Sequence, residues 1–170
     1  DDAAPPASWA WPANLPSGLI RATTTDRRPG SPGARSLILE TLSPAQPARI
    51  LSYLDAISDR AGKLLPIDGE WRLSLWARAD SPDARLRLTL QRHGSTPFLQ
   101  ETLTPTRNWQ LIERRFTAKD TGPTGTVQLE LLAENGRLLV DDASLAPANA
   151  DPSGFRAEVV EEYKTLEPKL

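Results

Sequence analysis

EWRLSLWARADSPDARLRLTL, residues 70–90, decides how this chain folds. Apolar and polar residues alternate with period two on both sides of Ser81, Pro82 and Asp83. That pattern predicts strands over 70–79 and 84–91, joined by a turn. Trp71, Leu73, Leu75 and Ala77 share one side of the first strand, and Arg72, Ser74, Trp76 and Arg78 the other. In the second, Leu86, Leu88 and Leu90 oppose Arg85, Arg87, Thr89 and Gln91. Successive strand side chains point to opposite faces, so the leucine rows feed a core and the Trp76 and arginine rows face outward.

The flanking sequence repeats the pattern. Strands are predicted over 19–25, 35–41 (Leu37 and Leu39 inward), 48–55, 63–67, 96–103, 108–117, 126–133 and 137–145. In 48–55 either Ile50 and Leu54 or Leu51 and Tyr53 can face the core. In 108–117 strict alternation puts Trp109 and Phe116 on opposite faces, and a bulge would bring both inward. Trp71, Trp109 and Phe116 are the expected aromatic core, while Tyr53 can face either way. The loop 26–34, DRRPGSPGA, is marked by its Gly and Pro content. Asn135-Gly136 is the strongest tight-hairpin signal in the chain. Residues 1–16 are a Pro-rich arm carrying Trp9 and Trp11, at least one of which is expected to pack on the domain. After Asp151-Pro152-Ser153 the period changes: Phe155, Val159, Tyr163 and Leu166 form one apolar stripe of a helix that Pro168 ends. About ten short strands with a turn every eight to twelve residues predict an all-β, antiparallel sandwich with a C-terminal α-helix.

Composition excludes several classes. A formal charge of −2 provides no basic surplus for nucleic acid or an anionic membrane. No run approaches the roughly 18–20 apolar residues of a membrane span. The chain has no Cys, which removes disulfides, thiolate nucleophiles and Cys-type metal sites. It has no Met, so Asp1 is not a translation start; a removed signal peptide and an excised segment both account for that. The single His, His93, stands beside Gly94 in a turn and cannot build a multi-His metal site. Glu40, Glu70, Glu101, Glu113 and Glu130 fall on separate predicted strands, and nothing in their spacing pairs two of them for glycoside hydrolysis.

Four motifs then occur in order: GARSLIL at 33–39, WRLSLWARA at 71–79, NWQLIERRFT at 108–117 and TVQLELLAENGRLLVDDASL at 126–145. Together they resemble the jelly-roll, galactose-binding-like carbohydrate-binding modules of secreted glycoside hydrolases, over about residues 17–147. GFRAEVVEEYKTLEPKL at 154–170 is similar to the helix that opens the (β/α)8 barrel of arabinofuranosidase-like glycosidases. Residues 148–170 are therefore either a linker and the start of a catalytic barrel, or an ordinary helix docked on the sandwich.

The resemblance implies a non-catalytic accessory module of an exported bacterial protein, secreted, cell-surface or periplasmic. Its partners would be a polysaccharide or oligosaccharide and a neighbouring catalytic domain in the same parent chain. Trp76 offers an indole for the apolar face of a sugar ring, and Arg78, Arg85, Arg87 and Gln91 offer hydrogen bonds to hydroxyls on what is expected to be the same sheet face. The competing reading is a structural module whose Trp76 face is covered by a loop, by the arm or by the next domain. No cofactor is required, but in such modules the second Asp of the closing motif, Asp142 here, helps hold a structural calcium. The loop 26–34 would supply carbonyls, as calcium takes six to eight oxygens. By strict alternation Asp141 and Asp142 point apart and cannot act as one clamp.

Overall fold

Leu73 and Leu75 are buried, and so are Leu86, Leu88 and Leu90, but the strands that carry them lie in different sheets. The computed structural model describes residues 9–10, 18–54, 67–122, 125–150 and 161. Its strands are β1 (Trp9–Ala10), β2 (Leu19–Thr23), β3 (Ser36–Glu40), β4 (Ala48–Tyr53), β5 (Gly69–Ala79), β6 (Arg85–Arg92), β7 (Leu99–Leu103), β8 (Gln110–Ala118), β9 (Val127–Asn135) and β10 (Arg137–Pro147). One sheet runs β1-β4-β9-β6-β7 and the other β2-β3-β10-β5-β8, antiparallel throughout. From β3 onward the chain passes from one sheet to the other at every connection except the β6–β7 hairpin, so the antiparallel sandwich expected from the alternation is present.

The turn at 80–84 is thus an arch from one sheet to the other. Ala79 and Ala84 are buried at its two ends, where small side chains let the chain cross the core. Asn135-Gly136 is also an arch, because β9 pairs with β4 and β6 while β10 pairs with β3 and β5. The two arches pack on each other: a Cβ on Gly136 would lie 2.5 Å from Ser81 Oγ and 3.0 Å from the Ala84 Cβ, and its φ of 72° suits glycine. The remaining strong turn signal behaves as a hairpin, since β6 pairs with β7 through the exposed His93 and Gly94.

The inward rows Leu37/Leu39, Leu73/Leu75, Leu86/Leu88/Leu90 and Leu129/Leu131 make one core with Ile50, Trp71, Ile112 and Phe116. Ile50 settles the facing of β4: Leu51 and Tyr53 point out, and Leu54 packs on the core. Trp9 pairs opposite Ser52 and packs partly buried on the core, so the segment read as an arm contributes a short strand there. Of the strand read at 63–67 only Ile67 is described, buried in the core and outside any strand; Trp11 lies outside the described residues, and of the helix read after Asp151 only Glu161 is described, in helical conformation.

Two readings of irregularity are corrected. β8 pairs with β5 in unbroken register, so 108–117 holds no bulge. Trp109 instead precedes the strand, half-buried beside Arg78 on the outer side. The bulge is in β10, where three steps from Asp141 to Ser144 match two from Trp76 to Ser74. Asp142 takes a φ of 48° there, a left-handed conformation that Asp tolerates better than most residues.

One end of the sandwich is closed by a buried ion pair. The inward row Leu86, Leu88, Leu90 ends in Arg92, whose side chain is 0% exposed. Its Nε and Nη2 donate to Asp120 at 2.9 and 2.6 Å, and Nη1 donates to the Gly125 carbonyl. The Asp120 N–H donates to Asp68 Oδ1 at 2.8 Å, and Trp71 Nε1 donates to the Asp68 carbonyl at 3.1 Å.

The open edge between β7 and β8 is bridged by Arg114, which grips Glu101 with two hydrogen bonds of 2.5 and 2.8 Å. Those hydrogen bonds, aided by the positive charge, outweigh desolvation and hold the Glu101 carboxyl below its ordinary 4.5. A carboxylate depressed in the folded state stabilises it above the unfolded pKa, and that stability is lost as pH falls through the folded value. Thermal melts between about pH 6 and about pH 3, spanning the range in which a Glu carboxyl titrates, should show Glu101→Gln losing less on acidification than wild type. Both side chains are about one-third exposed, so the difference is expected to stay below about 1 kcal/mol. Equal pH slopes would show that the bridge contributes nothing.

Candidate functional site

Because β5 and β6 lie in opposite sheets, their outward rows look in opposite directions. Trp76 and Arg78 lie on the outer face of the β5 sheet, and Arg85, Arg87 and Gln91 on the outer face of the β6 sheet. The five residues expected on one sheet face therefore form two separate surfaces. The reason is the arch at 80–84: alternation reports which side chains are inward, and it reads the same for a hairpin and for a crossing.

On the β5 sheet, Trp76 stands opposite Leu111, with Arg72 opposite Arg115 and Ser74 opposite Glu113. Leu111 is 51% exposed. Trp76 itself is half-buried, and the Arg28 guanidinium lies 4.7 Å from its ring centroid. Arg28 therefore occupies a face of the indole on which a sugar would otherwise stack. Arg28 comes from the 26–34 loop, which a second contact also ties down: Arg78 is paired with Asp26 and, at 2.7 Å, with Asp80. Trp109 then packs near Arg78, 5.9 Å from ring centroid to guanidinium carbon. On this face both indoles are engaged by arginines of the chain itself.

The outer face of the β6 sheet is differently built. Strand register sets Tyr53, Gln128 and Gln91 in one row, Leu51, Glu130, Thr89 and Gln100 in the next, and Arg49, Leu132, Arg87 and Thr102 in a third. Thr89 and Leu132 are buried at the centre, while Tyr53 is 38% exposed and Gln100 and Thr102 are exposed. The short central side chains lie beneath the longer ones around them; Gln100 Nε2, for instance, is 3.5 Å from Thr89 Oγ1. Arg49 pairs with Glu130 at 3.3 Å and Arg87 with Glu134 at 3.1 Å, which fixes both guanidinium groups along the floor. The result is a shallow surface of planar amide, carboxylate and guanidinium groups with an exposed phenol ring at one side. Beyond one end, Pro82, Asp83, Arg85, Thr104, Glu134 and Asn135 line an open hollow of about 450 Å³.

The glutamates are dispersed. Glu130 is on the β6 sheet's outer face, Glu101 is in the β7–β8 edge, and Glu70 and Glu113 stand on the β5 sheet four registers apart. That is about 13 Å along the strands, beyond the 5–9.5 Å that glycoside hydrolysis uses. Among the described residues no three of His, Cys, Asp and Glu gather as a metal site.

Sequence reasoning assigned Gln128 and Glu130 no binding role, left Tyr53 open, and missed Arg28 as the cover of Trp76. Tyr53 and Gln128 are 75 residues apart, and only the β4–β9 register makes them neighbours. The capping role of Arg28 had no local signal, since Trp76 and the carboxylates of Asp141 and Asp142 that hold it are all distant in the chain.

No family model matches the chain, and no curated protein matches it. Solved structures share its fold. The CBM22-1 xylan-binding domain from Paenibacillus barcinonensis superposes with a TM-score of 0.52 at 14% identity, covering 85% of this chain and 88% of that one. The CBM22-1–GH10 modules of the N-terminal endo-1,4-β-D-xylanase 10B of Clostridium thermocellum, complexed with xylohexaose, give 0.55 at 14% identity, covering 85% of this chain and 27% of that one. A cyclase from Fischerella sp. TAU gives 0.57 at 14% identity, covering 82% and 84%. The chain has the sandwich fold found in carbohydrate-binding modules, and that fold occurs in a cyclase as well.

Proposed function

We propose that this chain is a non-catalytic carbohydrate-binding module and that glycan lies across the outer face of the β6 sheet. The observation that carries the reading is the row Tyr53, Gln128 and Gln91 with Glu130 and Gln100 beside it. An exposed ring beside planar hydrogen-bonding groups meets both needs of a sugar, whose C–H faces stack on an aromatic and whose hydroxyls need donors and acceptors. Arg85, Arg87 and Gln91 keep their expected role on this surface. Trp76 and Arg78 are assigned to holding the 26–34 loop. The parent would be an exported glycosidase-like protein, a reading that rests on the order of sequence motifs and on the likeness to a module joined to a GH10 domain.

Calorimetric titration with soluble plant and microbial polysaccharides tests this directly. Binding is expected for at least one polymer, with Tyr53→Ala weakening it about tenfold, the loss of roughly one stacking contact. Trp76→Ala is expected to leave affinity within about twofold, less than half a kcal/mol. The opposite pattern would move the site to the β5 sheet. No binding across the panel would favour the second reading, a structural module docked on a neighbouring domain through exposed Leu111 and the adjacent Trp109.

A further inference from the structure

The resemblance implies a structural calcium at Asp142, and the oxygens around it are arranged for a cation. The cation they hold is Arg28. Its Nε and Nη2 donate to Asp142 Oδ2 at 2.9 and 2.6 Å. Its Nη1 donates to the Pro29 carbonyl at 3.1 Å, and Nη2 to the Gly30 carbonyl at 3.3 Å. Ser31 Oγ donates to Asp142 Oδ1 at 3.1 Å. Asp141 completes the group by accepting the backbone N–H of Arg28 at 3.3 Å and that of Asp142 at 2.9 Å. The β10 bulge is what allows this: both neighbouring carboxylates serve one loop, where regular alternation would point them apart.

These are the ligand types that calcium takes, a carboxylate with nearby carbonyls and a hydroxyl. They do not fit the ion with Arg28 in place. A divalent ion here would compete with the guanidinium for Asp142 Oδ2 and for the loop carbonyls, and it would stand against a like charge. Two guanidinium N–H groups converge on Asp142 Oδ2 while the same group reaches the Pro29 and Gly30 carbonyls, so its several directed donors already occupy the oxygens an ion would need. The same guanidinium lies over the Trp76 ring, 4.7 Å from its centroid. Arg28 and Asp142 side chains are only 18% and 23% exposed, so little water screens the pair.

We propose that Arg28 replaces the structural calcium in this chain, closing the 26–34 loop onto the β10 bulge and covering Trp76 without a metal. The inference is independent of where glycan binds. It makes the fold indifferent to calcium and to chelators, and it makes the environment of Trp76 depend on one arginine.

Thermal melts of the wild-type chain in excess EDTA and in excess calcium test the first consequence. Calcium at a hundred times its Kd would raise Tm by about 5–10 °C in a domain of this size. The expected result is superimposable melts; a calcium-dependent rise or an EDTA-dependent fall would overturn the proposal. Arg28→Ala tests the second. It should lower Tm by about 3–8 °C, as a partly buried ion pair is lost, and shift Trp emission to the red. Arg28→Lys keeps the charge without the fork and should fall between the two. An Arg28→Ala chain with wild-type Tm and emission would sink the assignment.

Discussion

Replacing Arg92 with alanine is expected to destabilise the sandwich by about 3–5 kcal/mol, a fall in Tm of about 8–15 °C. Arg92 terminates an inward leucine row and its side chain is fully enclosed, with Asp120 at 1% exposure. Removing the guanidinium takes from the buried Asp120 carboxylate its positive counter-charge and from the Gly125 carbonyl one donor. Cost arises from the charge left behind, not from the pair's own attraction, since desolvation offsets much of that. The double variant Arg92→Met with Asp120→Leu should therefore lose less than Arg92→Ala alone. Urea unfolding of the three chains measures both numbers. A loss below about 1 kcal/mol for Arg92→Ala, the value of an exposed pair, would mean that water reaches the site.

Trp71→Ala is the second large loss, about 3–5 kcal/mol, the usual range for a buried aromatic reduced to a methyl. Trp71 is 5% exposed, stands opposite Phe116 on β8, and donates its indole N–H to the Asp68 carbonyl. Two contributions can be separated. Trp71→Phe keeps most of the apolar volume and removes the hydrogen bond, so it should cost about 1–2 kcal/mol. Asp68 also accepts the Asp120 N–H, which connects this indole to the Arg92 network through one residue. The Trp71→Phe and Arg92→Ala losses should consequently fail to add, by about 0.5 kcal/mol or more. Strict additivity would show that Asp68 does not connect them.

Much of the fold was legible in the sequence. The strands at 70–79, 84–91, 126–133 and 137–145 match β5, β6, β9 and β10 closely, and Leu37, Leu39, Trp71 and Phe116 are core as expected. Trp109 was misplaced because a bulge was expected to bring it inward; β8 begins at Gln110 and runs without one, so Trp109 lies on the outer side where strict alternation puts it. Arg92 was legible in principle: it continues the row Leu86, Leu88, Leu90 by one more step of two. A charge in that position calls for a buried partner, but Asp120 is 28 residues away and nothing local names it.

The candidate surface was legible only by halves. Arg85, Arg87 and Gln91 were placed outward correctly, and so was Trp76. Their separation onto two faces follows from an arch that has the same turn residues as a hairpin. Asp142 was singled out, but its partner was not, because Arg28 lies 114 residues away.

What the sequence determined by itself was the inward and outward side of each strand, since a period of two follows from backbone geometry and needs no partner. What only the tertiary structure decided was which outward rows became neighbours. Pairing joins residues that are far apart in the chain, and alternation is the same whichever strand lies alongside. That is why residues 70–90 identified a sandwich but could not say that Trp76 and Arg87 face opposite ways, or that Trp76 would be covered by Arg28.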